Sequence, residues 1–326
     1  MRPPERIAAT RSLLLTGIAD VWSTLRDGEH RGHPRTGLVL MVISAAAFAA
    51  MAAFAKKLLP DTPTQAVVFS RGLLMTTVFV WLARRRGVSV RGRRPGMLLL
   101  RGLLGYGALS CYFWSVQHLP LGDAVLLQYS HPIFVALLAP LVLGERTGPL
   151  QLLLVMAALG GVALIVHPTG ALRSAAMIGV LGSMLSGIAY LTIRELSRTE
   201  HPLTIVVWFP LASLVPAMIA TLRAGDAALP RNASEVAGHL LVTASALVGQ
   251  ITLTFGLSIA GAARATAVTL TGPVFGMLFG YLMFGTVPTA TSLVGTGIVL
   301  TSLAALGWMP ASGGKESVAV AEAAEP

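Results

Sequence analysis

Runs of about 20 predominantly apolar residues recur about ten times along this chain, and each is long enough to cross some 30 Å of hydrocarbon as a helix. By hydropathy they fall near 37–56, 64–83, 96–117, 122–143, 148–167, 176–195, 203–222, 236–258, 265–285 and 289–309, with ends good to about four residues. A soluble core helix is rarely apolar all round over such a length. Only 12% of the 326 residues are charged against 54% hydrophobic, too few to clothe a water-soluble surface. In lipid every backbone N–H and C=O must be satisfied internally, which leaves helices or a closed barrel. Barrel strands would alternate over about ten residues, a pattern absent here. The expected fold is therefore an all-α membrane protein with about ten transmembrane helices. Several joints are only a few residues long, so neighbouring spans run antiparallel.

The net charge of +10 suggests nucleic acid until its distribution is considered. Lys and Arg sit in short joints and at span ends, not on one soluble face. With the N-terminus inside, 17 basic residues collect on the cytoplasmic side and five on the other. That asymmetry orients both termini to the cytoplasm and the protein in the inner (cytoplasmic) membrane. Residues 1–36 carry six arginines. Within them Ile7, Leu14, Ile18, Val21 and Leu25 recur at helical spacing, as in an amphipathic helix lying on the membrane. A loosely ordered tail is the competing reading of that leader. Residues 311–326, rich in Ala and Glu, read as a disordered tail. The lone Cys111 allows no intrachain disulfide.

Leu119–Gly144 and Ala260–Gly285 align at a constant offset of 141, pairing Pro132 with Pro273, Phe134 with Phe275 and Gly144 with Gly285. Two halves are expected, residues 37–170 and 171–310, of five helices each. Five is odd, so the second half enters the membrane upside down. Inverted repeats of this kind belong to transporters that alternate access around a central site.

Phe69-Ser70-Arg71-Gly72, Arg101-Gly102, the LPLGDA run Leu119–Ala124, Pro132-Ile133-Phe134 and Leu143-Gly144-Glu145-Arg146 together resemble the EamA-type permeases of the drug/metabolite transporter superfamily. The resemblance covers about Gly37 to Pro310 and is stronger in the first half. It implies a ten-helix, two-repeat fold in the cytoplasmic membrane and movement of metabolites, often export of amino acids and their derivatives. The second half departs from the family pattern. Gly285-Thr286 stands where an acidic residue often follows the glycine, which argues against symmetric acidic gates.

Charges inside hydrocarbon cost roughly 2.5–3.5 kcal/mol each and call for a reason. Arg71, deep in the second span, reads either as a fixed cation for a carboxylate or as an inter-helix clamp bonded to backbone carbonyls. Arg101 lies near enough to the cytoplasmic end of its span to snorkel. Asp123, in the first turn of the fourth span, complements the helix dipole or takes part in proton coupling. Glu145 at the other end of that span is a candidate gate latch or interfacial ion pair.

Gln128-Tyr129-Ser130-His131-Pro132 places consecutive polar side chains near mid-span. Pro132 frees the Gln128 carbonyl and weakens the helix there, so Pro132 and its counterpart Pro273 are candidate hinges. Gln128, Tyr129 and His131 are candidate substrate contacts, with Thr269 of the second repeat opposite them. Tyr106, Ser110 and Trp114, spaced by four, and Tyr190, Trp208 and Gln250 are further wall candidates. Inter-helix hydrogen bonding by buried polar groups is the competing account of the cluster.

The chain lacks a His-Glu-x-x-His helix, a phosphate-cradling loop and a pair of facing intramembrane carboxylates. Neither an intramembrane enzyme nor a metal or organic cofactor is expected. The expected activity is secondary transport of a small organic metabolite, an amino acid or derivative, by alternating access. A passive channel and a non-transporting sensor are the alternatives. The expected partners are the substrate and the lipid bilayer, with a homodimer as the candidate assembly.

Overall fold

Apart from a break at Ser130 and a few end residues, the described parts of the spans marked by hydropathy are helical. The computed structural model describes residues 34–143, 148–165, 171–196, 199–225, 230–260 and 271–308. Among them lie eleven helices and no strand: α1 (Pro34–Leu58), α2 (Thr64–Arg85), α3 (Pro95–His118), α4 (Leu121–Tyr129), α5 (His131–Leu143), α6 (Pro149–Ile165), α7 (Ala171–Leu196), α8 (Pro202–Arg223), α9 (Ala233–Ala260), α10 (Gly272–Phe284) and α11 (Ala290–Trp308). The leader before Pro34, the tail, Glu145 and Thr269 lie outside the described residues. Helices α1, α2, α3, α7, α8 and α9 are long and apolar enough to cross a membrane, and shorter apolar helices cover 272–284 and 290–302. The protein is an all-helical, multi-pass membrane protein.

Local chemistry sets the helix ends. Pro95 and Pro202 occupy first turns, where a missing N–H costs nothing. Gly285 closes α10 with φ +63°, a left-handed conformation that admits glycine readily, and its N–H bonds the Tyr281 carbonyl at 3.0 Å.

The most extensive packing joins α1–α6 to α7–α11: α1 on α9, α3 on α7, α6 on α11, α2 on α8 and α4 on α10. Small residues allow it. A Cβ at Gly102 of α3 would sit 2.6 Å from the Trp208 carbonyl oxygen of α8, and one at Gly182 of α7 would sit 2.8 Å from Cys111 Cβ of α3. Ser44 of α1 donates to the Gly249 carbonyl of α9 at 2.8 Å. Around this core, Leu153, Met177, Val215, Leu222 and Leu282 are each more than half exposed, an apolar exterior suited to lipid.

The ends of the bundle are tied by polar contacts. The joint between α2 and α3 is held by the second half: Glu200 accepts from the backbone N–H of Arg93 at 2.7 Å and also from that of Arg94. Thr204 donates to Ser89 O and the Trp208 indole to Val90 O, both at 2.8 Å. At the opposite end Lys56 Nζ donates to the carbonyls of Val116 and Leu119, and Ser292 donates to Asp123 at 3.0 Å. Asp123 is thus a link between α4 and α11 beside a small cleft that Met277 and Thr286 also line.

Candidate functional site

The span expected over 122–143 forms two helices, Leu121–Tyr129 and His131–Leu143, broken at Ser130. Proline has no N–H to offer the carbonyl four residues back, so Pro132 leaves Gln128 O without its helical donor. The His131 imidazole takes that place, with Nδ1 3.0 Å from Gln128 O. Ser130 N–H turns to Leu127 O at 3.2 Å and its hydroxyl donates to Leu126 O at 3.0 Å. The break is therefore satisfied by its own residues. Pro273 differs: it lies in the first turn of α10, where it interrupts no described hydrogen bond.

Helix α7 of the second half completes the cluster. Gln128 Nε2 donates to Ser186 Oγ at 2.8 Å, while Gln128 Oε1 is buried without a partner. The Tyr190 ring stacks on His131 with centroids 4.5 Å apart and planes at 28°, and Tyr129 lies 6.5 Å from the same imidazole. A Cβ at Gly187 would meet the His131 carbonyl at 3.1 Å, so glycine there lets α7 approach the break. Tyr129 packs closely against Gly272 of α10, where a Cβ would come 2.7 Å from its hydroxyl.

Tyr190 is 41% exposed, yet it does not face outward. A 3.6-residue period aligns it with Gly179, Ser183 and Ser186 on the packed side of α7, opposite the outward-facing Met177 and Leu181. Its exposed surface is therefore on the side of α7 that faces α3 and α5.

Two buried arginines lie on the neighbouring helices α2 and α3. Arg71 is 2% and Arg101 8% exposed, so Arg101 does not snorkel to water as its position in the sequence suggests. Both guanidiniums sit against one ring, Phe209 of α8, at 5.3 Å and 4.7 Å from its centroid. Arg71 Nε and Arg101 Nε and Nη1 are buried without hydrogen-bond partners, so no backbone-carbonyl clamp forms at these atoms. Two like charges no more than about 10 Å apart repel by about 1.7 kcal/mol at an effective dielectric near 20. Phe209 returns only part of the lost hydration through its ring face.

The other candidates disperse. Tyr106 donates to Gln65 Oε1 at 3.0 Å, binding α3 to α2. Ser110 Oγ is buried and unpartnered. Trp114 is exposed and stacks on His118 at 4.4 Å, away from the break. Trp208 serves the α2–α3 joint, and Gln250 sits on α9 beside the Ser44–Gly249 contact. Sequence reasoning missed Ser186, Phe209 and Gly272 as neighbours of the cluster. Ser186 alone carried a signal, since Gly37 and Ser44 of the first half recur at Gly179 and Ser186 of the second.

Comparison with known proteins gives a consistent picture. The profile of the EamA-like transporter family matches the chain twice, over residues 35–167 and 173–308. The pseudopaline exporter of Pseudomonas aeruginosa is 30% identical over 83% of this chain and 96% of its own length. A riboflavin transporter of Rhizobium johnstonii is 27% identical over 82% and 89%, and human solute carrier family 35 member G1 is 25% identical over 82% and 78%. One solved structure, described only as the crystal structure of a protein, superposes with a TM-score of 0.59 at 18% identity, covering 85% of this chain and 98% of that one.

Proposed function

Because this chain belongs to the EamA-like transporter family, and is a membrane transporter rather than an enzyme, we propose that it exports a small organic metabolite across the cytoplasmic membrane by alternating access. The observation that carries this reading is the stack of His131 on Tyr190. It joins the two halves at a helix break, where Tyr190 is accessible on the side of α7 that faces α3 and α5. A break whose backbone carbonyls are satisfied locally can flex without exposing them to lipid.

Ten spans in two inverted halves fit the packing. Exchange of α1 with α7, α2 with α8, α3 with α9, α4–α5 with α10 and α6 with α11 preserves the five main helix pairings between the halves. The α1–α9 pair becomes α3–α7, and α2–α8, α4–α10 and α6–α11 map onto themselves. The double family match divides the chain at the same place. Rocking of one half on the other would open the Gln128–Tyr190 space alternately to each side, with the Glu200 contacts closing the cytoplasmic end and Asp123–Ser292 the outer end. Both termini then face the cytoplasm, following the excess of basic residues in the leader and even-numbered joints. Export as the direction, and a small organic substrate, follow the names of the similar proteins, among them an exporter of pseudopaline.

The test is flux in proteoliposomes. Candidate metabolites, starting with amino acids and their derivatives, should move with saturable kinetics. His131→Ala and Tyr190→Ala should each lower flux at least about tenfold, equivalent to about 1.4 kcal/mol, while the protein stays folded. Flux that never saturates would mean a channel, and unaltered flux in both variants would remove the site.

A further inference from the structure

Among the described residues, two arginines without a carboxylate partner lie together on Phe209, next to the proposed site. The described carboxylates are engaged or placed elsewhere: Glu195 with Arg94, Glu200 with the α2–α3 joint, Glu235 with the Arg231 and Asn232 turn, Asp123 with Ser292, and Asp61 exposed in the turn after α1. Arg71 and Arg101 converge on Phe209 from two different helices, and three of their buried nitrogens lack an acceptor. A structural clamp would use those donors on carbonyls or acids, since a buried charge is retained only with its hydrogen bonds filled. Donors held unfilled at two adjacent guanidiniums are what an incoming oxyanion needs.

The arginines also connect to the helix break. Arg101 on α3 and Tyr190 on α7 each lie roughly six residues, or about 9 Å, from the cytoplasmic ends of their helices, and those helices pack together. Arg101 is within electrostatic reach of the Tyr190 hydroxyl. Tyr190 in turn stacks on His131. One strip therefore runs from Arg71 past Phe209 and Arg101 to Tyr190 and His131, cationic at one end and flat and aromatic at the other.

We infer that the transported substrate is an organic anion, its carboxylate or phosphate taken up by Arg101 and Arg71 and its flat apolar body lying along Tyr190 and His131. This rests on the transport site proposed above and adds the chemical class of its substrate. The anion supplies the missing acceptors and cancels the repulsion between the two cations. A neutral molecule of the same shape would leave both costs in place, so the site selects by charge.

The test is binding to the full-length protein in detergent, read as thermal stabilisation by phenylacetate, phenyl phosphate and the neutral phenylacetamide. At ten times its dissociation constant a bound anion should raise the unfolding midpoint by about 2–4 °C, and phenylacetamide at the same concentration by less than about 1 °C. Which of the two anions stabilises more identifies the headgroup. Arg101→Gln and Arg71→Gln should each abolish the anion's shift. Arg101→Lys, which keeps the charge but loses the planar fork, should retain a reduced one. If a glutamine variant does not fold, the wild-type contrast between acid and amide still decides. Equal shifts from phenylacetate and phenylacetamide, no shift from either anion, or an undiminished shift in both glutamine variants overturns the inference. Saturable flux of neutral metabolites with unaltered Arg71→Gln and Arg101→Gln kinetics would overturn it while leaving the transporter standing. Absence of saturable flux for every solute would instead count against the transport reading.

Discussion

At the scale of single residues, the site depends on side chains that do backbone work. His131 is both the ring that stacks on Tyr190 and the donor to the carbonyl that Pro132 strands. The proline break could be read in the sequence, because a missing N–H has only local consequences. The filling of Gln128 O by an imidazole could not, since it depends on a rotamer. Gly272 was illegible for another reason: its role is set by Tyr129, which lies far away along the chain. Substitution of Gly272 by Ala should push the Tyr129 ring aside and destabilise the protein by about 1–3 kcal/mol. The check is a fall of the thermal midpoint in detergent, and an unchanged midpoint would show that the ring yields freely.

Among elements, the spans themselves were the most legible feature, since lipid thickness fixes their length whatever they pack against. Helix α2 begins at Thr64 and α11 ends at Trp308, each within a residue of the corresponding hydropathy limit. The joints were not legible. The polar stretch between α2 and α3 reads in sequence as a basic cytoplasmic loop and no more. In the structure Glu200 gathers its backbone N–H groups, and Gly92 at φ +67° lies where a Cβ would meet the Glu200 carboxylate at 2.8 Å. Glu200→Ala should speed amide exchange at Arg93 and Arg94 by about tenfold, the equivalent of about 1.4 kcal/mol. Hydrogen-exchange mass spectrometry of the peptide spanning 86–94 reads this directly, and no acceleration would mean that Thr204 and Trp208 suffice to hold the joint.

For the whole molecule, sequence and structure divide the labour differently. The proposed orientation gives each joint a side, and this is testable by labelling in a Cys111→Ser background. A membrane-impermeant maleimide should reach Asp61→Cys from outside intact cells and Arg86→Cys only after permeabilisation. The reverse pattern would invert the orientation, and with it the assignment of the Glu200 contacts to the cytoplasmic end. Which helix packs on which could not be read in advance. Apolar surfaces in lipid gain little from one partner over another, so the choice rests on small-residue fit and a few hydrogen bonds such as Ser44 to Gly249. The two unfilled arginines belong at this scale too. Their isolation from every described acid becomes visible only once all the helices are in place.

The pairing of α1 with α9 and α3 with α7 also bears on how the protein is made. Helices leave the ribosome in order, so α1 to α6 are inserted before their principal partners exist. During that interval the faces around Gly102 and Ser44, shaped for other helices, are in contact with lipid or with the insertion machinery. The nascent first half is thus a waiting intermediate rather than a finished domain, and it is the stage at which a membrane chaperone or a quality-control protease has most to recognise.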